Sequence, residues 1–225
     1  VPACQSIIKK AVVKRLMFKH KTSVLPETGA EYKIRFMLRK NVCEIMLDTT
    51  GDGLHKRGYR RNAMEAPIRE TLAATIADLG RVRRDSLVED PFCGSGTLLI
   101  EAAQKAMNIA PGLKRRFAAE RYSFVPASVW AEQRQKALAE SKLDVDFEAF
   151  GYDIDPAAVA LANANAKLAG VEKRCHFEVA DVADFAAKSE AIVLTNPPYG
   201  ERMSTIEGAA KLVRTLGQQM EAHPC

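Results

Sequence analysis

The chain of 225 residues is poor in the features that mark membrane, disulfide-bonded and zinc-binding proteins. It has no apolar run of the roughly 20 residues that a membrane-spanning helix needs. Its five cysteines lie far apart and form no C-x-x-C pair, and its four histidines are scattered along the sequence. These absences argue against a membrane partner, a disulfide framework and a metal site, and they favour reduced thiols in a cytoplasm.

The glycine-rich stretch DPFCGSGT at residues 90–97 lacks the marks of two common nucleotide-binding turns. A phosphate-binding P-loop has a lysine directly after its last glycine, but Thr97 follows Gly96 here. A dinucleotide-binding turn would have a third glycine at Leu99 and an acid about 20 residues further on, whereas Asp153 follows Gly96 by 57 residues (153 − 96). A third class, S-adenosylmethionine, is consistent with an acid before the glycines, as at Asp90. An ordinary tight turn is the alternative.

The residues on either side of this stretch predict a strand over 86–89 and a helix over 98–107. Gly94 and Gly96 lack a Cβ, so the turn between them can adopt unusual backbone angles and approach a ligand closely. The helix that follows offers free N–H groups at its N-terminus. The turn is therefore a candidate cofactor site.

A second motif, NPPYG at residues 196–200, follows the apolar run 191–195, which is typical of a buried parallel strand. Two prolines cannot continue a strand ladder, so they predict a rigid turn that carries an amide and a phenol. In a doubly wound sheet the strand ends open on one edge. We expect that edge to carry Asp90, Asp153, Asp181 and Asn196.

DPFCGSGT together with NPPY resembles the Rossmann-type methyltransferases that modify exocyclic or amide nitrogens. Three further stretches, GLHKRGYR at 53–60, APIRE at 66–70 and NPPYGER at 196–202, resemble the THUMP-containing RNA guanine-N2 methyltransferases, especially the bacterial enzymes that modify 23S ribosomal RNA. The resemblance covers nearly the whole chain. It implies an S-adenosylmethionine-dependent enzyme with ribosomal RNA as its partner.

The resemblance also implies a domain organisation. Residues 1–62 are expected to form the C-terminal half of an α+β THUMP-like domain and a basic connector, defined here as residues 49–62. Residues 63–225 are expected to form an α/β, Rossmann-like methyltransferase domain whose last strands are missing. The chain is therefore expected to be a fragment at both ends.

Site residues follow from the same resemblance. Asn196 Oδ1 and the Pro197 carbonyl would accept the N–H bonds of guanine N2, and Tyr199 would stack on the base. Asp153 would bind the ribose, Asp181 the adenine amine and Asp90 the ammonium. The catalytic set is Asn196, Pro197, Pro198 and Tyr199, and the cofactor set is Pro67, Asp90, Phe92, Gly94, Ser95, Gly96, Thr97, Asp153, Ile154, Asp181, Val182 and Asn196.

Charge is divided unevenly along the chain. Residues 1–69 hold 15 Lys and Arg against 6 Asp and Glu, a net of +9, whereas residues 70–225 hold 18 against 22, a net of −4. This asymmetry favours a polyanion partner for the first part, although a solvated basic face would look the same. In the basic connector, phosphate contacts are expected from lysine and arginine and base stacking from tyrosine, the residues being Lys56, Arg57, Tyr59, Arg60 and Arg61. The alternative is a polar linker.

Periodicity and turn signals predict the remaining elements. A first helix is expected over 5–20, with Ile8, Val12 and Leu16 on one face, and a second from Ala63 to a stop at Gly80. Residues 111–142 are expected to form an insertion that contains a helix over 130–142. Two further helices are expected from Pro156 to Leu168 and near 209–220. Strands are expected over 32–38, half-buried, and over its hairpin partner 42–47, and also over 147–152 and 176–179.

Five alternatives stay open at this point. The Asn-Pro-Pro-Tyr turn also serves adenine-N6 and glutamine-N5 methylation, and tRNA is an alternative to ribosomal RNA. An RNA-binding or assembly module without activity would be a different class of protein. A nicotinamide oxidoreductase is disfavoured by the spacing after Gly96.

Overall fold

The computed structural model describes residues 2–60, 68–198 and 206–224. In chain order the elements are α1 (Pro2–His20), β1 (Ile34–Arg39), β2 (Val42–Leu47), α2 (Glu70–Leu79), β3 (Leu87–Asp90), α3 (Thr97–Ala106), α4 (Ala127–Ala139), β4 (Glu148–Asp153), α5 (Pro156–Ala169), β5 (Cys175–Val179), β6 (Ile192–Val193) and α6 (Ile206–Ala222). Two short 3-10 helices lie at Ala118–Arg121 and Val182–Asp184. No helix in these ranges is long and apolar enough to cross a membrane.

Strands β3 to β6 form a parallel sheet in the order β5-β4-β3-β6. Within this sheet the chain runs from β3 outward through β4 to β5 and then returns to place β6 on the other side of β3. The order therefore reverses beside β3, and this switch point is where ligands bind in open α/β sheets. The prediction of an α/β, Rossmann-like fold is confirmed.

Helix α3 is the centre of the core. All of its residues except Lys105 are buried, which fits its Ala, Leu and Ile content. Gly151 of β4 allows this close packing, because an added Cβ would lie 2.6–2.9 Å from side-chain atoms of Phe177, Cys93 and Leu99. The helix that starts at the glycine turn is therefore held firmly against the sheet.

Helix α5 forms as the sequence predicts. Asp155 caps its N-terminus by accepting a hydrogen bond from the Ala157 amide at 2.9 Å, and Pro156 fills its first position. Gly170, at φ +83°, ends the helix in the left-handed region.

The hairpin β1–β2 also forms as predicted, with Lys40 and Asn41 at positive φ in its turn. The expectation that its first strand is half-buried is wrong, because every residue of the two strands except Phe36 is exposed. The two strands pair only with each other, and α1 has no buried residue. On the predicted apolar face of α1, Ile8 and Val12 are partly buried and Leu16 is 38% exposed.

Other boundaries differ from the predictions for local reasons. Helix α2 begins at Glu70, since Arg69 has extended backbone angles, and it ends before Gly80 as expected. The predicted start at Ala63 lies outside the described residues. Helix α4 begins directly after Pro126, three residues before the predicted start. Strand β6 is shorter than predicted because its pairing with β3 covers only Ile192 and Val193.

Candidate functional site

The glycine turn connects β3 to α3 at the switch point of the sheet. Gly94 and Gly96 have φ of +51° and +76°, and Gly96 is the N-cap of α3. A Cβ on Gly96 would lie 2.8 Å from the Phe177 ring and 3.0 Å from Ala162, so this position requires glycine. A Cβ on Gly94 would meet no atom within 4 Å. The turn is therefore packed tightly on its inner side and is open above Gly94.

Asp153, at the end of β4, holds the glycine turn in place. Its Oδ2 accepts from the Gly94 amide at 2.9 Å and its Oδ1 accepts from the Asp155 amide at 3.0 Å. Each carboxylate oxygen has a further lone pair, so Asp153 can still accept a hydroxyl hydrogen bond. The residue thus combines a backbone contact with spare acceptor capacity.

Asp90 and Thr195 connect the two motifs of the sequence directly. Thr195 Oγ1 donates to Asp90 Oδ1 at 2.7 Å, and the Phe92 amide donates to the same oxygen at 3.0 Å. Burial raises the pKa of Asp90 to about 7, the two hydrogen bonds oppose this rise, and the nearby Asp153 carboxylate adds to it. Asp90 is therefore an acceptor that changes its charge near neutral pH. Thr195 carries no signal in the sequence, because no spacing rule links it to a residue 105 positions earlier.

The remaining cofactor candidates fall into two groups. Ile154 is 68% exposed and Asp181 is also exposed, with the Asp181 side chain accepting from the Ala183 amide at 2.9 Å. Phe92 and Gly94 are partly buried, and four side chains are buried, namely Asp90, Ser95, Thr97 and Val182. The exposed residues Ile154 and Asp181 can meet a ligand from the solvent side, while Ser95 and Thr97 shape the glycine turn.

Asn165 of α5 is another residue that the sequence analysis missed. It is 1% exposed, and its Nδ2 donates to the Ser95 carbonyl at 3.1 Å. Ser95 Oγ in turn lies 3.1 Å from Thr97 Oγ1. These hydrogen bonds fix the conformation of the glycine turn on the side that faces α5.

The Asn-Pro-Pro turn begins directly after Thr195. Asn196 is exposed, and Pro197 and Pro198 are partly buried. Tyr199, Pro67 and Arg61, which were also predicted as site residues, lie outside the described residues. Since Thr195 bonds to Asp90, the structure brings the start of this turn beside the glycine turn.

The basic connector requires corrections. Tyr59 is 1% exposed and its hydroxyl donates to Glu101 Oε1 at 3.0 Å, so its ring belongs to the core and is not available for base stacking. Arg57 and Arg60 also turn inward, because each pairs with a buried carboxylate of α3 or α2 (Arg57 Nη2 to Glu101 at 3.2 Å; Arg60 Nη2 to Glu70 at 2.6 Å). This pairing argues against the predicted direct contacts of Arg57 and Arg60 with phosphates.

Lys56 differs from these neighbours, since its side chain is 61% exposed. The described part of the connector, residues 49–60, follows the insertion closely. A Cβ on Gly58, at φ +97°, would lie 2.5 Å from the Lys114 carbonyl oxygen. The connector is not a free polar linker, because its backbone is packed on the insertion.

An ion pair without a signal in the sequence lies on the sheet beside Asp90, between a buried glutamate and a lysine whose side chain is 41% exposed. Glu89 is fully buried, and Lys188 Nζ donates to its Oε1 at 3.0 Å and to the Tyr152 hydroxyl at 3.0 Å. The Lys188 amide also donates to Glu89 Oε2 at 2.8 Å. These contacts fasten the segment that follows Val182–Asp184 to the sheet.

Two other chemistries find no support in the part of the chain that the structure describes. It contains no group of three or more His, Cys, Asp or Glu residues arranged to hold a metal ion. The glycine-turn thiol of Cys93 is buried, and burial raises its pKa, which makes it a poor nucleophile.

Comparison with protein families gives one match. The model of UPF0020, described as the RMKL-like methyltransferase domain, matches residues 57–225. Over 224 residues the chain is 40% identical to a Bacillus subtilis (strain 168) protein named "Putative RNA methyltransferase YpsC", covering 98% of this chain and 58% of that protein. It is also 40% identical over 223 residues to the ribosomal RNA large subunit methyltransferase K/L of Shewanella baltica (strain OS195), covering 95% of this chain and 31% of that protein.

Two solved structures are similar throughout the chain. A Listeria monocytogenes (str. 4b F2365) protein described as a predicted N6-adenine-specific DNA methylase matches with a TM-score of 0.93 and 41% identity, over 100% of this chain and 60% of that one. SMU.472, solved in complex with S-adenosylhomocysteine, matches with a TM-score of 0.88 and 39% identity, over 98% and 59%. The chain thus spans less than two thirds of the length of these relatives.

Proposed function

The chain belongs to the RMKL-like methyltransferase domain family, and on this premise we propose that it is an S-adenosylmethionine-dependent RNA methyltransferase that acts on the exocyclic N2 of a guanine. Its relatives include a ribosomal RNA large subunit methyltransferase and a protein named as an RNA methyltransferase. We therefore propose 23S ribosomal RNA as the substrate and the cytoplasm as the location.

The observation that carries the proposal is the 2.7 Å hydrogen bond from Thr195 to Asp90. It joins the strand exit that leads into Asn196 to the end of the strand that leads into the glycine turn. A methyltransferase needs its cofactor and its target amine side by side, because methyl transfer depends on alignment. The bond supports a common site for both at the switch point.

The residues at this edge fit S-adenosylmethionine. The space above Gly94 leaves room for a ligand against the turn, and Asp153 has the acceptor capacity that ribose hydroxyls need. Asp90 would accept from the ammonium and Asp181 from the adenine amine, with exposed Ile154 beside the ring. SMU.472, at 39% identity, was solved with the demethylated form of this cofactor. The other proposed contacts are Pro67, Phe92, Ser95, Gly96, Thr97 and Val182.

The Asn-Pro-Pro turn would act on the target amine. The lone pair of guanine N2 is delocalised into the ring, so the amine is a weak nucleophile. Asn196 Oδ1 and the Pro197 carbonyl would accept its two N–H bonds, which favours a pyramidal nitrogen with its lone pair free. Pro198 would stiffen this arrangement, and Tyr199 would stack on the base. S-adenosylmethionine supplies an electrophilic methyl group when bound.

We also propose a domain organisation that changes one boundary. The exposed α1 and hairpin would belong to the THUMP-like RNA-binding part. Tyr59 lies in the core, and the Ala119 amide of the insertion donates to the Thr49 carbonyl at 3.1 Å. These contacts favour assigning residues 49–60 to the α/β body rather than to the domain of residues 1–62.

Two measurements test the function. Calorimetry should detect binding of S-adenosylhomocysteine and no binding of NAD. Unmodified 23S ribosomal RNA incubated with the chain and cofactor should gain N2-methylguanosine in nucleoside mass spectrometry. NAD binding without S-adenosylhomocysteine binding would contradict the proposal, and cofactor binding without any methylated nucleoside would favour an inactive RNA-binding module.

Adenine-N6 methylation is the second candidate, favoured by the description of the Listeria structure as an N6-adenine-specific DNA methylase. The Asn-Pro-Pro-Tyr turn serves both amines, so the turn alone does not separate them. The same mass spectrometry does, because N6-methyladenosine and N2-methylguanosine are distinct nucleosides. Tests on tRNA and on DNA identify the substrate.

A further inference from the structure

A cavity of about 460 Å³ lies between the basic connector and the insertion, lined mainly by residues 52–60 together with Glu70, Arg115 and Arg116. Its lining shares no residue with the proposed cofactor and target contacts at the sheet edge. Five of the nine lining residues carry a permanent positive charge and two carry a negative charge, a net of +3. We call this space the basic cavity.

Not all of these positive charges are available to a ligand. Arg57 and Arg60 are paired with the buried carboxylates of Glu101 and Glu70, and only 11% of each arginine side chain is exposed. They form the wall of the basic cavity, and their charge is already compensated. The other charged residues of the lining, Asp52, Lys56, Arg115 and Arg116, carry a net of +2 (3 − 1).

Arg115 supplies a buried positive charge that is not neutralised by an acid. It is 6% exposed, and its guanidinium donates to the carbonyls of Gly53 at 2.9 Å and Asp52 at 2.6 Å. In the described ranges no carboxylate lies within ion-pair distance of it. Carbonyls accept from its Nη1 and Nη2 groups without cancelling its charge, and its buried Nε has no hydrogen-bond partner among the described residues. A buried charge is costly unless it is compensated.

Lys56 and Arg116 stand at the rim, with 61% and 91% of their side chains exposed. Lys56 pairs at 3.4 Å with Asp52, which is itself exposed, and Arg116 shares Glu120 with Arg134. The exposed Lys56–Asp52 pair is of a kind that contributes about 0–1 kcal/mol, so Lys56 can turn to a new anion at little cost. Arg116 is itself exposed, and Glu120, which is only 12% exposed, keeps Arg134 as its partner at 2.7 Å when Arg116 turns away.

We propose that the basic cavity binds a phosphate group, with Lys56 and Arg116 as its donors and Arg115 as the charge beneath it. The volume lies within the range of small-ligand sites, so a phosphate with part of a nucleotide fits. The phosphate can belong to the backbone of the RNA or to a free anion, and the chemistry of recognition is the same. The RNA source rests on the proposed function.

The test uses a double charge reversal at the rim, Lys56→Glu with Arg116→Glu, which leaves the buried arginines in place. The matched control is Lys136→Glu with Lys142→Glu, which makes the same change of charge at exposed lysines away from the cavity. Lys136 resembles Lys56, since it pairs with an exposed acid four residues away, Glu140, at 3.9 Å. Both variants are first checked for unchanged thermal unfolding.

The first probe is a labelled single-stranded RNA of mixed sequence, measured by fluorescence anisotropy at several salt concentrations. The rim variant should bind on the order of tenfold more weakly at about 0.1 M salt, with a salt slope shallower by about one or two. The control should change by less than about threefold, and Asp52→Asn should strengthen binding because it removes the acid at the rim.

The second probe is inorganic phosphate alone, read out as a rise in the unfolding temperature at constant ionic strength. The site would be assigned to a free phosphate if phosphate stabilised the wild type but not the rim variant, while the rim variant and the control bound RNA with equal affinity. If neither probe separates the rim variant from the control, the proposal is wrong. A wild type that binds phosphate but neither RNA nor S-adenosylhomocysteine would contradict the proposed function and leave this inference standing.

Discussion

The carboxyl edge of the sheet and the basic connector are both rich in chemically useful side chains, yet the fold uses them in opposite ways. At the sheet edge Asp153, Asp181 and Asn196 remain partly or fully exposed around the open side of the glycine turn. In the basic connector Tyr59 and Arg57 turn inward and bond to Glu101. The first region presents its polar groups to a ligand, whereas the second uses Tyr59, Arg57 and Arg60 to fasten itself to α3 and α2.

The difference has a physical origin. The carboxyl ends of parallel strands meet at one edge of the sheet, where ligands bind, and there Asp153 is partly exposed although Asp90 is buried. In a basic segment an arginine is exposed or buried according to whether a carboxylate lies beneath it. Glu101, in the second turn of α3, supplies that carboxylate, and burial raises its pKa while Arg57 and Tyr59 oppose the rise. The comparison predicts functional losses from changes at the sheet edge and stability losses from changes in the connector.

The largest effect is expected for Arg57→Ala. This change leaves the 97% buried side chain of Glu101 without its cationic partner, which should lower the free energy of unfolding by about 3–5 kcal/mol. Urea denaturation measures it, with Lys56→Ala as the control, because the exposed neighbour should change stability by no more than about 0.5 kcal/mol. Equal stability of the two variants would remove the contrast drawn between the two regions.

At the sheet edge the largest effect is expected for Asn196→Ala. If Asn196 accepts from the target amine chiefly in the transition state, kcat should fall by about 10²–10³ with RNA and cofactor saturating. Stability should change little, because Asn196 is exposed. Asn196→Asp keeps the acceptor and the shape of the side chain but adds a negative charge. Its kcat therefore shows whether the side chain at position 196 must be uncharged. Normal kcat in Asn196→Ala would exclude the residue from the mechanism.

The same contrast explains what the sequence could predict. Gly94, Gly96 and the two prolines impose local backbone requirements, and Asp155 with Gly170 marks a helix by its ends, so these positions could be interpreted without a fold. Tyr59 could not, because its partner Glu101 is 42 residues away. The Thr195–Asp90 and Lys188–Glu89 contacts span 105 and 99 residues and depend on the strand order. Local sequence rules predict where a turn forms. A contact between residues far apart in the sequence can be identified only in the folded structure, where the sheet brings the two residues together.

A smaller effect, on affinity, should separate two neighbouring acids. Asp153→Ala should weaken S-adenosylhomocysteine binding by about 1–3 kcal/mol, because it removes the proposed ribose acceptor and the support of the Gly94 amide. Asp155→Ala removes the cap of α5 instead, so it should cost about 1 kcal/mol of stability and leave the dissociation constant unchanged. Calorimetry and thermal unfolding of both variants measure the two effects. A dissociation constant that is unchanged in Asp153→Ala would contradict the ribose role.

The smallest effect concerns pH and the charge of Asp90. Its pKa of about 7 lies above the value of 3.8 expected in the unfolded chain, so the folded chain holds the proton more tightly. Ionisation of Asp90 therefore costs stability as pH rises from about 4 to about 7.

Cofactor binding should respond in the opposite direction, because an ammonium group prefers the ionised carboxylate. The dissociation constant for S-adenosylhomocysteine should increase roughly tenfold between about pH 7 and about pH 5.5. Asp90→Asn should bind more weakly at pH 7, lose this pH dependence and be more stable than the wild type at neutral pH. If the variant keeps the wild-type pH dependence, another group is responsible, and Asp90 is not the ammonium acceptor.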